Sequence, residues 1–509
     1  MSSLDEDNEK QTIYSFQSIA PDAREESDSL GSVSIPAGAL WGAHTQRALQ
    51  NFPISGYPIS KHPSFIVAYL KVKLACAEAN HAAGELDDEQ LEAVEWAAEN
   101  LIEAIVDGTS AQTGWTADMV LQQFPVDVYQ GGAGTSTNMN VNEVLANLAD
   151  FHMGRPLGQH DEVMHPNDVV NRSQSTNDTY PTAAKIALLE ESRSVIKAGG
   201  RLSTVLRSWA RHHENEIKLG RTQLQDAVPM TYAQEANAWA SHVERALCMI
   251  DGCKTELATI TLGGTAIGTG VLGGREFGKL ATDRLSSFIK AGVDLQLDDD
   301  LVAGTTDMNA YVHLSGALRQ LAVALGKLSD DLRLLVSGPR AGLMDYSIPA
   351  VQAGSSIMPG KVNPVIAEAM DQVTFRVLGA DATVQAAAGG AQLQLCAFEP
   401  IMLHELLRAM ELLEAAMDMM VDKCLSGLES TVTGSKHAEE SISDVTGLVE
   451  AIGYDKCSII AKTALKTGQT IFKVIEGKYS VDPEWFKDKN GKALSLEELK
   501  NRVKPQSLI

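Results

Sequence analysis

Residues 353 to 364 read Ala353-Gly354-Ser355-Ser356-Ile357-Met358-Pro359-Gly360-Lys361-Val362-Asn363-Pro364, and the rest of the chain is read outward from them. Two adjacent hydroxyls follow a glycine. A Pro-Gly pair comes next, then a lone cation at Lys361 and a carboxamide at Asn363, closed by a second proline. Gly354 and Gly360 let the backbone bend towards a ligand, and Pro359 and Pro364 forbid a continuous helix. Hydroxyl, ammonium and amide donors with backbone N–H groups are suited to holding carboxylate oxygens. Composition alone also fits a surface loop of turn residues.

Three further polar clusters precede this loop. Tyr129 to Asn142 (Tyr-Gln-Gly-Gly-Ala-Gly-Thr-Ser-Thr-Asn-Met-Asn-Val-Asn) is a glycine turn leading into an apolar helix start, an arrangement that cradles anions. It lacks the GxxxxGK[ST] spacing, and no GxGxxG sits between a strand and a helix, so nucleotide binding is not inferred. His165 to Asp178 ends in Ser175-Thr176-Asn177-Asp178 just before a long helical run. Capping accounts for one such residue, whereas four occur in succession. Gly220 to Pro229 again precedes a helix. Nearer the N-terminus, His44 and Arg47 are open to either a site role or a packing role.

Between the clusters the periodicity is helical. Residues 64–106 read as two helices, the second with an acidic, solvated face. Leu314, Leu318, Leu321, Leu325, Leu328, Leu332 and Leu335 alternate spacings of four and three, and Leu406, Met410, Leu413, Met417, Met420 and Cys424 repeat the pattern. Two such seams predict long helices packed nearly parallel in a bundle, with the seams as core or subunit interface. Residues 1–30 are polar and read as a frayed end, followed by a short extended segment from Ser32. The expected architecture is mainly α, with an N-terminal domain (1–165), a central long-helix bundle (166–430) and a small C-terminal helical domain (431–509).

The chain has 509 residues, with 42 Lys and Arg against 66 Asp and Glu, a net charge of −24. That balance argues against a nucleic-acid partner, and it requires any anionic substrate to be drawn in by a locally positive site. No run reaches the roughly 18 apolar residues of a membrane span, and the N-terminal residues lack the basic and apolar regions of a signal peptide. The chain is therefore read as cytoplasmic, with no membrane partner. Six scattered cysteines without metal-finger spacing read as buried, reduced thiols.

The four clusters, in this order, resemble the signature segments of the aspartase/fumarase superfamily, and the resemblance runs over roughly residues 28 to 480. It implies a nearly all-α subunit with five long helices and a homotetramer whose active sites are shared between subunits. It also implies a lyase that eliminates a leaving group from a succinate-type substrate to give fumarate. At Gln223 the hydratase branch carries His, paired with a carboxylate that is present here as Glu368. Gly-Arg-Thr-Gln at 220–223 instead resembles the ammonia-lyase branch, which implies deamination of L-aspartate; a fumarate hydratase and a lyase for substituted aspartates are the alternatives. By resemblance Ser355 is the general base. Thr135, Ser175, Thr176 and Ser356 hold the β-carboxylate, Lys361 and Asn363 grip the α-carboxylate, and Asn177, Thr222 and Gln223 surround the amino group. The chemistry implied calls for no metal or organic cofactor. Three positions depart from the family pattern: Cys396 stands where Asn is usual, Gly268 to Gly273 lacks its customary Asn, and Leu-Asn-Pro is missing near 447–453.

Overall fold

The structure, a computed structural model, describes residues 23–158, 163–289 and 292–509. The expectation of a frayed end falls outside the described residues for 1–22, and for the remainder it is corrected. Arg24–Asp28 (β1) pairs antiparallel with Gly31–Ile35 (β2), the latter being the extended segment expected from Ser32. Two long-range anchors hold this hairpin. The Arg24 guanidinium donates to the carbonyls of Ala39 and Trp41, each at 2.8 Å. Val33 and Ile35 are buried beside Ala39 and Ala43.

Among the described residues, the α-helices of at least seven residues begin with α1 (Ala43–Asn51), α2 (Pro63–Ala82), α3 (Asp88–Asp107), α4 (Thr135–His152) and α5 (Thr176–His212). They continue with α6 (Tyr232–Gly252), α7 (Arg275–Phe288), α8 (Asn309–Leu335), α9 (Val365–Ala388) and α10 (Glu399–Lys423). Four more follow: α11 (Val432–Glu439), α12 (Tyr454–Thr467), α13 (Ile471–Val481) and α14 (Leu496–Arg502). The bundle expectation is met by α5, α6, α8, α9 and α10. Strands are few and form two-stranded sheets.

Local chemistry accounts for the boundaries. At the start of α3, Asp87 and Gln90 form a reciprocal capping box, and Gly108 ends the helix in the left-handed region. Its Ala93, Val94, Ala97 and Leu101 turn inward while Glu89, Glu92 and Glu99 face solvent, as the sequence pattern required. Both heptad-like seams are core of the chain itself. Every leucine from Leu314 to Leu335 in the first seam, and every member from Leu406 to Cys424 in the second, is buried.

The fold divides into two compact units, 1–195 with 249–319 and 377–411, and 196–248 with 320–376 and 412–509. In the first unit, Phe65, Tyr69 and Tyr180 meet edge to face at 5.2–6.2 Å. In the second, Trp209, Tyr232, Trp239 and Tyr346 form an aromatic cluster in which Tyr232 and Tyr346 are 4.9 Å apart. The C-terminal helices have a core of their own around Leu448, Ile460, Ile475, Phe486 and Leu499. All six cysteines are free; five are buried as expected, but Cys248 is exposed on the outer side of α6. Among the described residues, no helix is long and apolar enough to cross a membrane.

One buried group goes against the C-terminal core. Asp444 is 1 % exposed, neither of its carboxylate oxygens has a hydrogen-bond partner among the described residues, and burial pushes its pKa up to about 7. An acid whose pKa is raised by folding binds its proton more tightly in the native state. The contribution of Asp444 to stability is therefore greatest below the unfolded pKa near 4 and falls as pH rises towards 7. Asp444→Asn should remove this group's part of the fall and stabilise the protein at pH 8 by roughly 1–4 kcal/mol. Urea unfolding at pH 5 and pH 8 tests it; equal pH dependence in both proteins would contradict this account of Asp444.

Candidate active site

In the first unit the glycine turn ends where the sequence predicted, with Gly134 as the N-cap residue of α4 at a left-handed φ of 90°. A β-carbon there would sit 2.1 Å from the Tyr180 ring, so only glycine lets the aromatic cluster close over the helix start. Thr135 is the first helical residue, and its hydroxyl donates to the Gly132 carbonyl at 2.6 Å. It borders a cleft of about 660 Å³ also lined by His44, Arg47, Met139, His165 and Asn167. Arg47 pairs with both Asp28 oxygens at 2.7 and 2.8 Å, tying α1 to the N-terminal hairpin. Burial holds His44 below the usual histidine range.

The cluster before α5 combines capping with presentation. The Ser175 hydroxyl accepts from the Asn177 N–H at 3.2 Å, and the Ser175 N–H donates to Asp178 Oδ1 at 2.9 Å. Thr176 is buried, and Asn177 Nδ2 donates to the Ala266 carbonyl at 2.7 Å. Asp178 Oδ2 accepts from the Gly263 and Thr265 N–H groups at 3.1 and 3.0 Å. Burial raises the Asp178 pKa to about 6, opposed by these backbone donors and by Lys73.

A polar hub ties this cluster to α4. Asn171 Oδ1 accepts from Asn138 and Asn142 of α4 at 3.1 and 3.2 Å and from the Lys73 ammonium at 3.0 Å. Lys73 also donates to Gln174 Oε1 at 2.8 Å; it is fully buried, and burial pushes its pKa down to about 7. Lys73, Asn138 and Asn171 were not singled out from the sequence. The available signal lay in α2, where Tyr69, Lys73, Cys76 and Asn80 repeat at spacings of four, three and four along a buried face.

In the second unit, Thr222 and Gln223 lie at the tip of an antiparallel hairpin of Ile217–Thr222 (β3) and Gln225–Thr231 (β4), both exposed. Gln223 and Leu224 take left-handed φ values of 54° and 61°, each costing roughly 1 kcal/mol for a residue with a side chain. The base is held by buried Asp345, which accepts from Arg221 at 2.6 Å, contacts His437 Nδ1 at 3.0 Å and lies 3.5 Å from the Lys218 ammonium.

The loop at 353–364 is pinched at its neck. Asn363 Nδ2 donates to the Gly354 carbonyl at 3.0 Å, and a β-carbon on Gly354 would lie 1.9 Å from the Lys361 carbonyl oxygen. The Ser355 hydroxyl oxygen accepts from the N–H groups of Ile357 and Met358 at 3.3 and 3.1 Å. Ser356 and Lys361 are exposed, as is the Ile357 side chain, and Glu368 stands in the first turn of α9. Thus Thr135 and Ser175 to Asn177 belong to one unit, and Thr222, Gln223, Ser355, Ser356, Lys361, Asn363 and Glu368 to the other. Among the described residues, no hydrogen bond or ion pair links Glu368 to Gln223.

Comparison with known proteins gives a consistent picture. A family model described as lyase matches residues 31–379. An aspartate ammonia-lyase of Pseudomonas aeruginosa is 42% identical over 468 residues, covering 92% of this chain and 95% of that protein. A solved fumarate lyase:delta crystallin from Brucella melitensis superposes with a TM-score of 0.86 at 41% identity, over 95% of this chain and 98% of that one. A class II fumarase from Schistosoma mansoni has a TM-score of 0.85 at 30% identity, over 96% and 99%.

The loop geometry yields a direct test. Gly354→Ala should spring the neck and speed proteolytic cleavage within residues 351–362 by about tenfold while leaving helix content intact. Limited proteolysis with circular dichroism measures both, and an unchanged cleavage rate would mean that the neck is not held at Gly354.

Proposed function

The chain belongs to the aspartase/fumarase superfamily, as a carbon–nitrogen lyase of the aspartase kind, and we propose that its reaction is the reversible deamination of L-aspartate to fumarate and ammonia. The observation that carries the mechanism is Ser355 with its oxygen facing two backbone N–H groups. A serine hydroxyl is too weak a base to remove a Cβ proton unless its alkoxide is stabilised, and the amides of Ile357 and Met358, with Lys361 on the same loop, are donors of the required kind. Ser355 takes the Cβ proton. The electron pair moves into the β-carboxylate as an aci-carboxylate, held by Thr135, Ser175, Thr176 and Ser356; it then re-forms as the Cα–Cβ double bond as ammonia leaves from the pocket of Asn177, Thr222 and Gln223. Lys361 and Asn363 fix the α-carboxylate, and Glu368 supports the Gln223 side. Each neutral donor to the developing oxyanion contributes about 3 kcal/mol in the transition state.

A homotetramer with sites shared between subunits fits this reading. Phe375 (65 % exposed) and Leu378 on α9, with Val323 on α8, leave apolar surface uncovered on long helices within one chain. Two alternatives have specific support. Similarity to a class II fumarase supports fumarate hydration, against which Gln223 stands. Cys396 at a position usually occupied by Asn leaves room for a substituted aspartate.

Absorbance in the ultraviolet band of fumarate, with L-aspartate and L-malate supplied separately, decides among them. Growth on aspartate alone is expected, growth on malate alone would establish the hydratase, and silence on both would point to a substituted aspartate. Ser355→Ala should lower kcat by about 10²–10⁴-fold with the fold intact, and near-normal turnover would mean that another group is the base. Lys361→Ala should raise KM for aspartate roughly 10- to 100-fold, more than it lowers kcat. An unchanged KM would remove Lys361 from the α-carboxylate site.

A further inference from the structure

We propose that the groove between α12 and α13 is a docking site for an acidic amphipathic helix of a partner protein. Ile460 and Val474 form its buried floor, and Ile459 (54 % exposed), Val481 (83 % exposed) and Trp485 form its walls. Val474, Gly477, Lys478 and Val481 are spaced at i, i+3, i+4 and i+7, so they present one face of α13 along the groove, the geometry that receives the matching face of a second helix.

Two observations specify the occupant. Gly477 sits in the middle of α13, where a β-carbon would meet nothing within 4 Å. A mid-helix glycine costs roughly 1 kcal/mol relative to alanine, and no neighbour among the described residues requires it; the missing side chain leaves a notch for close approach of another backbone. The second is charge. The chain as a whole is at −24, yet residues 454–509 carry eleven Lys and Arg against seven Asp and Glu. Lys473 is exposed at the edge of the groove, and the Lys478 and Lys456 ammonium groups lie 5.0 and 5.5 Å from the centre of the Trp485 ring. A second copy of this basic module would set lysine against lysine. A concave groove between two helices fits an inserted helix better than it fits a flat anionic membrane surface.

The test uses the full chain and a fluorescein-labelled peptide of about 18 residues, leucine and phenylalanine on one helical face and glutamate on the other, read by anisotropy. Saturable binding, weakened about tenfold or more by Lys473→Glu with Lys478→Glu and by added salt, is expected. Gly477→Ala separates docking from folding: it should raise thermal stability while weakening the peptide. The proposal is overturned if the double reversal leaves binding unchanged, or if a lysine version of the peptide binds equally well. Capture on phosphatidylglycerol vesicles in preference to the peptide would equally overturn it.

Discussion

The first turn of an α-helix has backbone N–H groups with no partner inside the helix, and each polar cluster in this chain lies at or leads directly into such a turn. Thr135 opens α4, Thr176 opens α5, the hairpin carrying Thr222 and Gln223 runs into α6, and the 353–364 loop runs into α9. In a chain with a net charge of −24, these helix starts supply positive potential without a cluster of basic side chains. They are also fixed in position. The helices behind them are held by buried faces of their own, such as Val141, Val144 and Leu148 on α4 and Val195, Leu202 and Leu206 on α5, so a helix start cannot shift without disturbing its apolar face. Two local devices refine the placement: Gly134 lets Tyr180 close over the start of α4, and Asp178 gathers three backbone N–H groups at the start of α5.

What was legible in the sequence follows from what is local. Glycine, proline and hydroxyl punctuation located the loop and the helix starts within a residue or so, because turn chemistry and capping act over three or four positions. The leucine seams were legible as buried, in the core or at a subunit interface, because periodicity records burial directly. The β1–β2 hairpin was missed because its stability comes from Arg24 reaching the carbonyls of Ala39 and Trp41, 15 and 17 residues away, in a segment whose composition is that of a frayed end. The hairpin at 217–231 was read only as a polar stretch before a helix. Its defining contacts converge on Asp345, more than a hundred residues downstream. Lys73 shows the same limit in another form. A lysine in an alanine-rich helix reads as solvent-facing, and only the meeting of Asn171 and Gln174 with α2 makes it the centre of a buried polar hub.

The site residues divide differently. Their types and order carried the family resemblance, but the arrangement that gives Ser355 its two amide donors is a property of a folded loop. Its neck closes only because Gly354 has no side chain to strike the Lys361 carbonyl. The sequence marks Gly354 as permissive, and the structure gives the steric reason.

On the proposed reading, the balance of neutral and charged groups has a physical logic. The substrate carries two carboxylates in its ground state, and a cation beside each would bind substrate and transition state with similar strength, which lowers KM without raising kcat. Neutral hydroxyls and amides respond more selectively. Their hydrogen bonds strengthen as the β-carboxylate gains a second negative charge, so the stabilisation falls where the barrier lies. One cation is enough for recognition of the carboxylate that does not react, and Lys361 is the only lysine or arginine in the loop. The predominance of Ser, Thr and Asn over Lys and Arg in the four clusters is then a requirement of the chemistry, and the dipoles of the helix starts provide the background potential that lets so acidic a chain receive a dicarboxylate.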